Sequence, residues 1–118
     1  MSDFVDTNII VRFLARDDPD MTAPSGRLFA RAQGGELTLF TSEAVLLEVV
    51  QVMTSPRLYL MERGELAEAM RTLLENRWFH LDHKTVVLDA FALYGQTKLD
   101  FTDCLAIEHC RRHDGGVV

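Results

Sequence analysis

The sequence has little cysteine and no long uncharged hydrophobic run, and each shortage excludes a class of protein. Only two cysteines occur among the 118 residues, Cys104 and Cys110. Six residues of helix rise by about 9 Å, which is too far for a disulfide, so we expect two reduced thiols, as is usual in the cytoplasm. The longest apolar stretch, residues 44–53, is short and contains Glu48, so we predict no membrane span.

Basic residues are also scarce relative to acidic ones. The sequence contains twelve lysines and arginines and eighteen aspartates and glutamates, which gives a formal net charge of −6. This balance argues against a protein held on nucleic acid by a broad basic surface, although it allows a nuclease with an acidic metal centre. Acidic residues at positions 3 and 6 are unlike a secretory signal, so a cytoplasmic protein is expected. The length suits a single domain over residues 1–118.

Familiar catalytic signatures are missing as well. The sequence contains no GxSxG, no phosphate-binding glycine loop and no GxGxxG. His109 and His113 stand four apart, as a zinc pair can, but no further zinc ligands surround them, which favours a solvated helix face. His80 and His83 lie near no nucleophile motif. Histidine and cysteine therefore offer no obvious site.

What the sequence does contain is an alternation of short apolar strands with amphipathic helices. The alternation predicts a parallel sheet with helices on both faces, and ligands of such sheets bind at the carboxyl ends of the strands. The predicted strands cover residues 3–6, 36–40 and 78–82, with the beginning of a fourth at 117–118 after Gly115 and Gly116. The predicted helices cover residues 7–15, 19–33, 42–53, 65–75, 85–97 and 101–113, the second starting at Pro19 after "RDDPD", and a short helical turn covers 56–64 and ends at Gly64.

Three acidic residues occupy unusual places in this pattern. Asp6 stands at the carboxyl end of the first strand, and Asp103 precedes the apolar run "CLAI". Glu48 lies within "AVLLEVVQVM", which is apolar nearly all round and predicts a buried helix. A lone carboxylate there must be paired, for example with Arg12, protonated, partly exposed or bound to a metal.

Each acid also has an ordinary explanation. Asp6 and Asp100 can cap helices, and Asp103 suits a first helical turn. Taken together, however, Asp6, Glu48 and Asp103 come from three distant segments, and a hard divalent cation would relieve their repulsion. Oxygen ligands suit Mg²⁺ and Mn²⁺, so the sequence predicts such a site.

The order of three motifs resembles the PIN-domain ribonucleases. These motifs are "FVDTNIIVRFL", "SEAVLLEVV" and "LDFTDCLAIEHC", and "RFLARDDPD" and "FTDCLAIE" are similar to the VapC-type toxins of bacterial toxin–antitoxin pairs. The resemblance covers essentially the whole chain. It implies a three-layer α/β domain with a central, mostly parallel sheet of about four to five strands and helices on both faces.

The resemblance also implies a function and a site. Asp6, Glu48 and Asp103 match the family's metal-binding acids, Asp100 matches a less regular acidic position nearby, and Thr7 and Asn8 match residues that support the first aspartate. The family implies a Mg²⁺- or Mn²⁺-dependent endoribonuclease, usually a homodimer, that acts on RNA and is inhibited by an antitoxin.

Two questions stay open at this point. The family's fourth acid follows a strand that would begin at residues 117–118, where the sequence ends, so the resemblance implies a trimmed or naturally short C-terminal end. A catalytically weak or inactive module that acts through protein or RNA contacts is therefore the alternative to an enzyme. Apolar residues at 57–61, with Phe13, Leu14 and Phe29, serve either the core or a face for an antitoxin helix or a second copy.

Overall fold

The computed structural model describes residues 2–15 and 24–113. Within these ranges the chain forms three strands and six helices in an alternating order. They are β1 (Ser2–Phe4), α1 (Thr7–Ala15), α2 (Pro24–Gln33), β2 (Thr38–Phe40), α3 (Glu43–Thr54), α4 (Arg63–Leu74), β3 (Phe79–His80), α5 (Lys84–Gln96) and α6 (Phe101–Arg111).

The sheet is parallel, with the strand order β1-β2-β3. Ser2 pairs with Thr38, and Leu39 pairs with Phe79. Helices therefore connect consecutive strands, and the predicted α/β class with a parallel sheet is confirmed. The described residues form three strands, where about four to five were predicted. The predicted break at "RDDPD", the helix start at Pro19 and the strand at 117–118 lie outside the described residues.

The pleat of the sheet separates buried from exposed side chains. Val5, Leu39 and Phe79 are completely buried, and Phe29 of α2 stacks on Phe79 with ring centroids 6.1 Å apart. The alternate residue Phe40 is 39% exposed. Val5, Leu39 and Phe79 therefore lie on the face of the sheet that packs against the core, and Phe40 lies on the opposite face.

Helix α4 begins earlier than the sequence suggested. We predicted a short turn that ends at Gly64 and a helix from Glu65, which was wrong, because α4 starts at Arg63. The Glu62 carboxylate accepts hydrogen bonds from the backbone N–H groups of Gly64 and Glu65, each at 2.9 Å. These bonds satisfy the free N–H groups of the first turn, and they lower the pKa of Glu62.

Close approach between helices α4 and α5 explains the glycine at position 95. A Cβ on Gly95 of α5 would lie 3.0 Å from the Ala67 Cβ and 3.7 Å from the Gly64 Cα of α4. The absence of a side chain at Gly95 thus lets α4 and α5 pack in direct contact.

The two cysteines are free thiols, as predicted. Cys104 is buried in the α6 interface, and burial raises the pKa of its thiol. None of the described helices combines the length and the apolar character needed to cross a lipid bilayer.

Candidate active site

The carboxyl ends of the three parallel strands lie side by side at one end of the sheet, and we call this end the carboxyl edge. Hydrogen bonds join the ends of β1 and β2: Val5 N–H donates to the Phe40 carbonyl at 2.8 Å, and the Thr41 hydroxyl donates to the Val5 carbonyl at 2.9 Å. These bonds make the residues after β1 and those after β2 neighbours, and Asp6 comes two residues after the end of β1. This edge is where ligands of parallel α/β sheets bind.

Asp6 is exposed at this edge and caps α1. Its Oδ1 accepts a hydrogen bond from the backbone N–H of Ile9 at 3.2 Å. The capping role considered for Asp6 is therefore confirmed. A carboxylate has a second oxygen, so capping fixes the side chain and still leaves an atom that can bind a cation.

Glu48 is exposed, which corrects the prediction that it lies within a buried helix. Helix α3 has two distinct faces, because exposed Ala44 and Gln51 share the outer side with Glu48. The residues of α3 that face the core are Leu46, Val49, Val50 and Met53. The apolar neighbours Leu46, Val49 and Val50 are indeed buried, but they lie on the core side of the helix, and Glu48 lies on the opposite side.

The partner of Glu48 is Thr7. The buried Thr7 hydroxyl donates a hydrogen bond to Glu48 Oε2 at 3.0 Å, across 41 positions of sequence. Arg12, the alternative partner, forms no ion pair with Glu48 within the described part of the chain. Because Thr7 follows Asp6, this bond brings the Asp6 and Glu48 segments together at the end of β1.

Asp100 and Asp103 are both exposed at the beginning of α6. Asp100 occupies the N-cap position as predicted, but its side chain makes no capping hydrogen bond. Asp103 lies in the first turn, as its ordinary explanation required.

The direction of α6 places Asp103 relative to Glu48. Near the C-terminal end of α6, His109 contacts Glu43 at the start of α3. At the other end of α6, Leu99, which precedes the helix, contacts Arg63, which lies close to the end of α3. The two helices therefore run antiparallel. At a rise of about 1.5 Å per residue, Asp103 stands at about the same height along the helix pair as Glu48.

The three acids do not all meet in one metal-ligand group. Among residues 2–15 and 24–113, no three histidine, cysteine, aspartate or glutamate side chains stand close enough to hold an ion. Mg²⁺, however, is usually bound by only one or two carboxylates and keeps several waters. Two carboxylates near the end of β1, Asp6 and Glu48, are a donor set that suits such a water-rich Mg²⁺ or Mn²⁺ site.

Arg63 of α4 contacts α5 and the residues that precede α6. Its guanidinium lies 3.8 Å from the centre of the Tyr94 ring and donates to the Tyr94 carbonyl at 3.1 Å. It also donates to the Leu99 carbonyl, just before α6. The sequence carried no signal for this contact, because its partners lie 31 and 36 positions away.

A second polar cluster occupies the β2 and β3 side of the carboxyl edge. His109 Nε2 lies 2.9 Å from Glu43 Oε1, and both side chains are 33% exposed. The His83 ring contacts the His109 ring edge to face, with centroids 5.4 Å apart. Assigning His109 to a solvated helix face was therefore wrong: it is half-buried and paired. Sequence analysis overlooked Glu43, although it lies only three residues after the end of β2.

Comparisons with known proteins agree with this architecture. The family model described as PIN domain matches residues 4–118 of the chain. A curated relative, "VapC ribonuclease" from Aquifex aeolicus (strain VF5), is 28% identical over 101 residues, which cover 86% of this chain and 73% of the relative. No solved structure matches.

Proposed function

The chain belongs to the PIN-domain family, and on this premise we propose that it is a metal-dependent endoribonuclease, the toxin of a VapC-type toxin–antitoxin pair. The observation that carries the proposal is the Thr7–Glu48 hydrogen bond, which joins two acidic segments at the carboxyl edge. The similarity to a relative named as a ribonuclease supports the same chemistry.

We propose that Asp6 and Glu48 bind Mg²⁺ or Mn²⁺, with Asp103 acting through water or directly. The cation would supply a water of lowered pKa and stabilise charge on the scissile phosphate. Asp6 is oriented by its cap on α1, and Glu48 is oriented by Thr7. Support of a ligand by such neighbours maintains its geometry. We propose supporting positions for Asn8 and Asp100 on the resemblance to the family alone.

The exposure of the acids suits a polymeric substrate. Asp6, Glu48 and Asp103 are all exposed, so an RNA backbone can approach them without a change in the core. We propose single-stranded or loop RNA in the cytoplasm as the substrate class, on the resemblance to the family.

An exposed apolar segment supports the proposal of a protein partner. Leu58 and Leu60 are 62% and 67% exposed, and Tyr59 between them is 37% exposed. We call residues 58–60 the apolar turn. Exposed apolar patches commonly mark interaction sites, and we propose that this turn serves a homodimer interface or the antitoxin.

The test of the enzymatic proposal uses Asp6→Asn and Glu48→Gln, which remove a charge and keep the shape. With Mn²⁺ or Mg²⁺, the wild type should cleave single-stranded RNA, and each variant should lose roughly a hundredfold in rate or more, as removal of a metal-binding group does. Glu68→Gln, which changes an exposed carboxylate on α4, should cleave like the wild type.

A thermal measurement separates an enzyme from an inactive binding module. Mn²⁺ should raise the unfolding midpoint of the wild type and of Glu68→Gln but not of Asp6→Asn, because a ligand of the native state stabilises it. Undiminished cleavage by Asp6→Asn would remove the proposed site. RNA binding with neither cleavage nor metal stabilisation would favour the binding module.

A further inference from the structure

We propose that Glu43, His83 and His109 form a ribose-binding subsite, in which His109 accepts a hydrogen bond from a 2′-hydroxyl of the bound RNA. The inference rests on the proposed function for its ligand class. It concerns side chains that the metal-dependent chemistry does not use.

The position of the cluster is the first argument. Glu43 comes three residues after β2, and His83 comes three residues after β3. Both therefore lie on the carboxyl edge, where Asp6 follows β1. Glu43 and Glu48 share α3 and are about 7.5 Å apart along its axis. A chain held at the carboxylates can thus place a neighbouring nucleotide against the histidines.

The hydrogen bond to Glu43 determines what His109 can offer. A carboxylate accepts hydrogen bonds, so His109 Nε2, at 2.9 Å from Glu43 Oε1, carries the proton. In the neutral ring Nδ1 is then an acceptor, and its partner must be a donor. A phosphodiester has no donor, whereas the 2′-hydroxyl has one, and this hydroxyl distinguishes RNA from DNA.

His83 restrains the acceptor. Its ring meets the His109 ring at an interplanar angle of 77°. Glu43 on one side and His83 on the other therefore limit the rotation of His109. An acceptor held in one orientation binds with a smaller loss of conformational entropy.

The backbone at His83 is unusual for a structural residue. His83 has φ 58° and ψ 37°, in the left-handed region, and it is the N-cap of α5 without a capping hydrogen bond from its side chain. Non-glycine residues in this region are uncommon and cluster at functional sites. Stability does not explain the cluster either, because a single partly exposed hydrogen bond between His109 and Glu43 contributes little.

The experiment compares RNA with DNA that differs only at the 2′ position. The full chain carrying Asp6→Asn, which prevents cleavage, is titrated without added metal with a labelled random 15-nucleotide RNA pool. The second probe is the matched DNA pool with deoxyuridine in place of thymidine. Fluorescence anisotropy gives both affinities. The Asp6→Asn chain should bind RNA more tightly than DNA.

His109→Phe tests the acceptor, because it keeps an aromatic ring against His83 and removes both nitrogens. It should weaken RNA binding by about tenfold and leave DNA binding unchanged. Glu43→Gln should shift the RNA affinity in the same direction by a smaller factor, and it keeps the test valid if His109→Phe unfolds. The matched control is His113→Phe, an exposed histidine further along the chain, which should change neither affinity.

Three results would overturn the inference: no preference for RNA over DNA, no effect of His109→Phe and Glu43→Gln, or an equal loss for both nucleic acids. The last result would indicate a contact to phosphate. The failure of the proposed function is a different result: the wild type would cleave no RNA with Mn²⁺, while the preference for RNA over DNA would remain.

Discussion

Thr7 is the residue on which the alignment of the carboxylate pair depends. It is 8% exposed, and its hydroxyl joins the first turn of α1 to the middle of α3. Asp6 beside it is fixed by the cap on Ile9. The geometry of both acids therefore depends on one hydroxyl and one backbone amide rather than on charge pairing.

The substitution Thr7→Val isolates this hydroxyl, since valine has nearly the same shape. The Mn²⁺ concentration that gives half-maximal RNA cleavage should rise by about tenfold or more, as loss of a supporting hydrogen bond to a metal ligand does. The free energy of unfolding in urea should fall by only about 1 kcal/mol, because the exposed Glu48 can be hydrated instead. Thr7→Ser retains the hydroxyl and should restore the wild-type Mn²⁺ dependence. An unchanged Mn²⁺ dependence in Thr7→Val would show that Thr7 does not orient Glu48.

Residue types alone identified Asp6, Glu48 and Asp103 as candidates, because acids at a strand end or within an apolar run are unusual. The reason given for Glu48 was nevertheless wrong, since it is exposed. Hydropathy within one helix does not show which side of that helix the rest of the fold covers. The Thr7–Glu48 and Glu43–His109 contacts join positions 41 and 66 residues apart, and no local pattern encodes them.

At the scale of elements, periodicity predicted the fold class well and the starts of elements less well. Helix α5 begins at Lys84 and ends at Gln96, within one residue of the prediction. Helix α4 was misplaced because glycine was read as a stop, whereas the Glu62 cap makes Gly64 part of the first turn. Caps formed by glutamate are less typical than those formed by serine or aspartate, so the start gave a weak signal.

The proposed role of the apolar turn in a dimer is tested by measuring the oligomeric state of the protein. The wild type should sediment as a dimer at micromolar concentration, and Leu58→Ser with Leu60→Gly should sediment as a monomer, because burial of both leucines drives association. Glycine also suits position 60, where φ is 45°. Leu99→Ser changes an exposed leucine outside the turn and should leave the dimer intact. A monomeric wild type would contradict a dimer role for the turn.

At the scale of the molecule, the C-terminal helices of the described chain are held by contacts between residues close in sequence, whereas the sheet is held by contacts between distant residues. Helices α4, α5 and α6 follow one another closely and pack together through Gly95 and through the Arg63 contacts. The sheet instead pairs strands across long connections, since Ser2 meets Thr38. Only the sequence-distant pairings bring the acids to one edge, which is why the site was less predictable than the helices.

This difference in the sequence separation of contacts predicts the order in which the parts of the protein fold. Closing long loops costs entropy before any contact is gained, so the C-terminal helices should assemble first and β1 should dock last. In pulsed hydrogen exchange during refolding, the Leu66 amide should gain protection before the Val5 amide, and the opposite order would exclude this pathway. A newly made chain would then contain a folded helical unit before Asp6 reaches Glu48, and the proposed metal site would form only in the final step of folding.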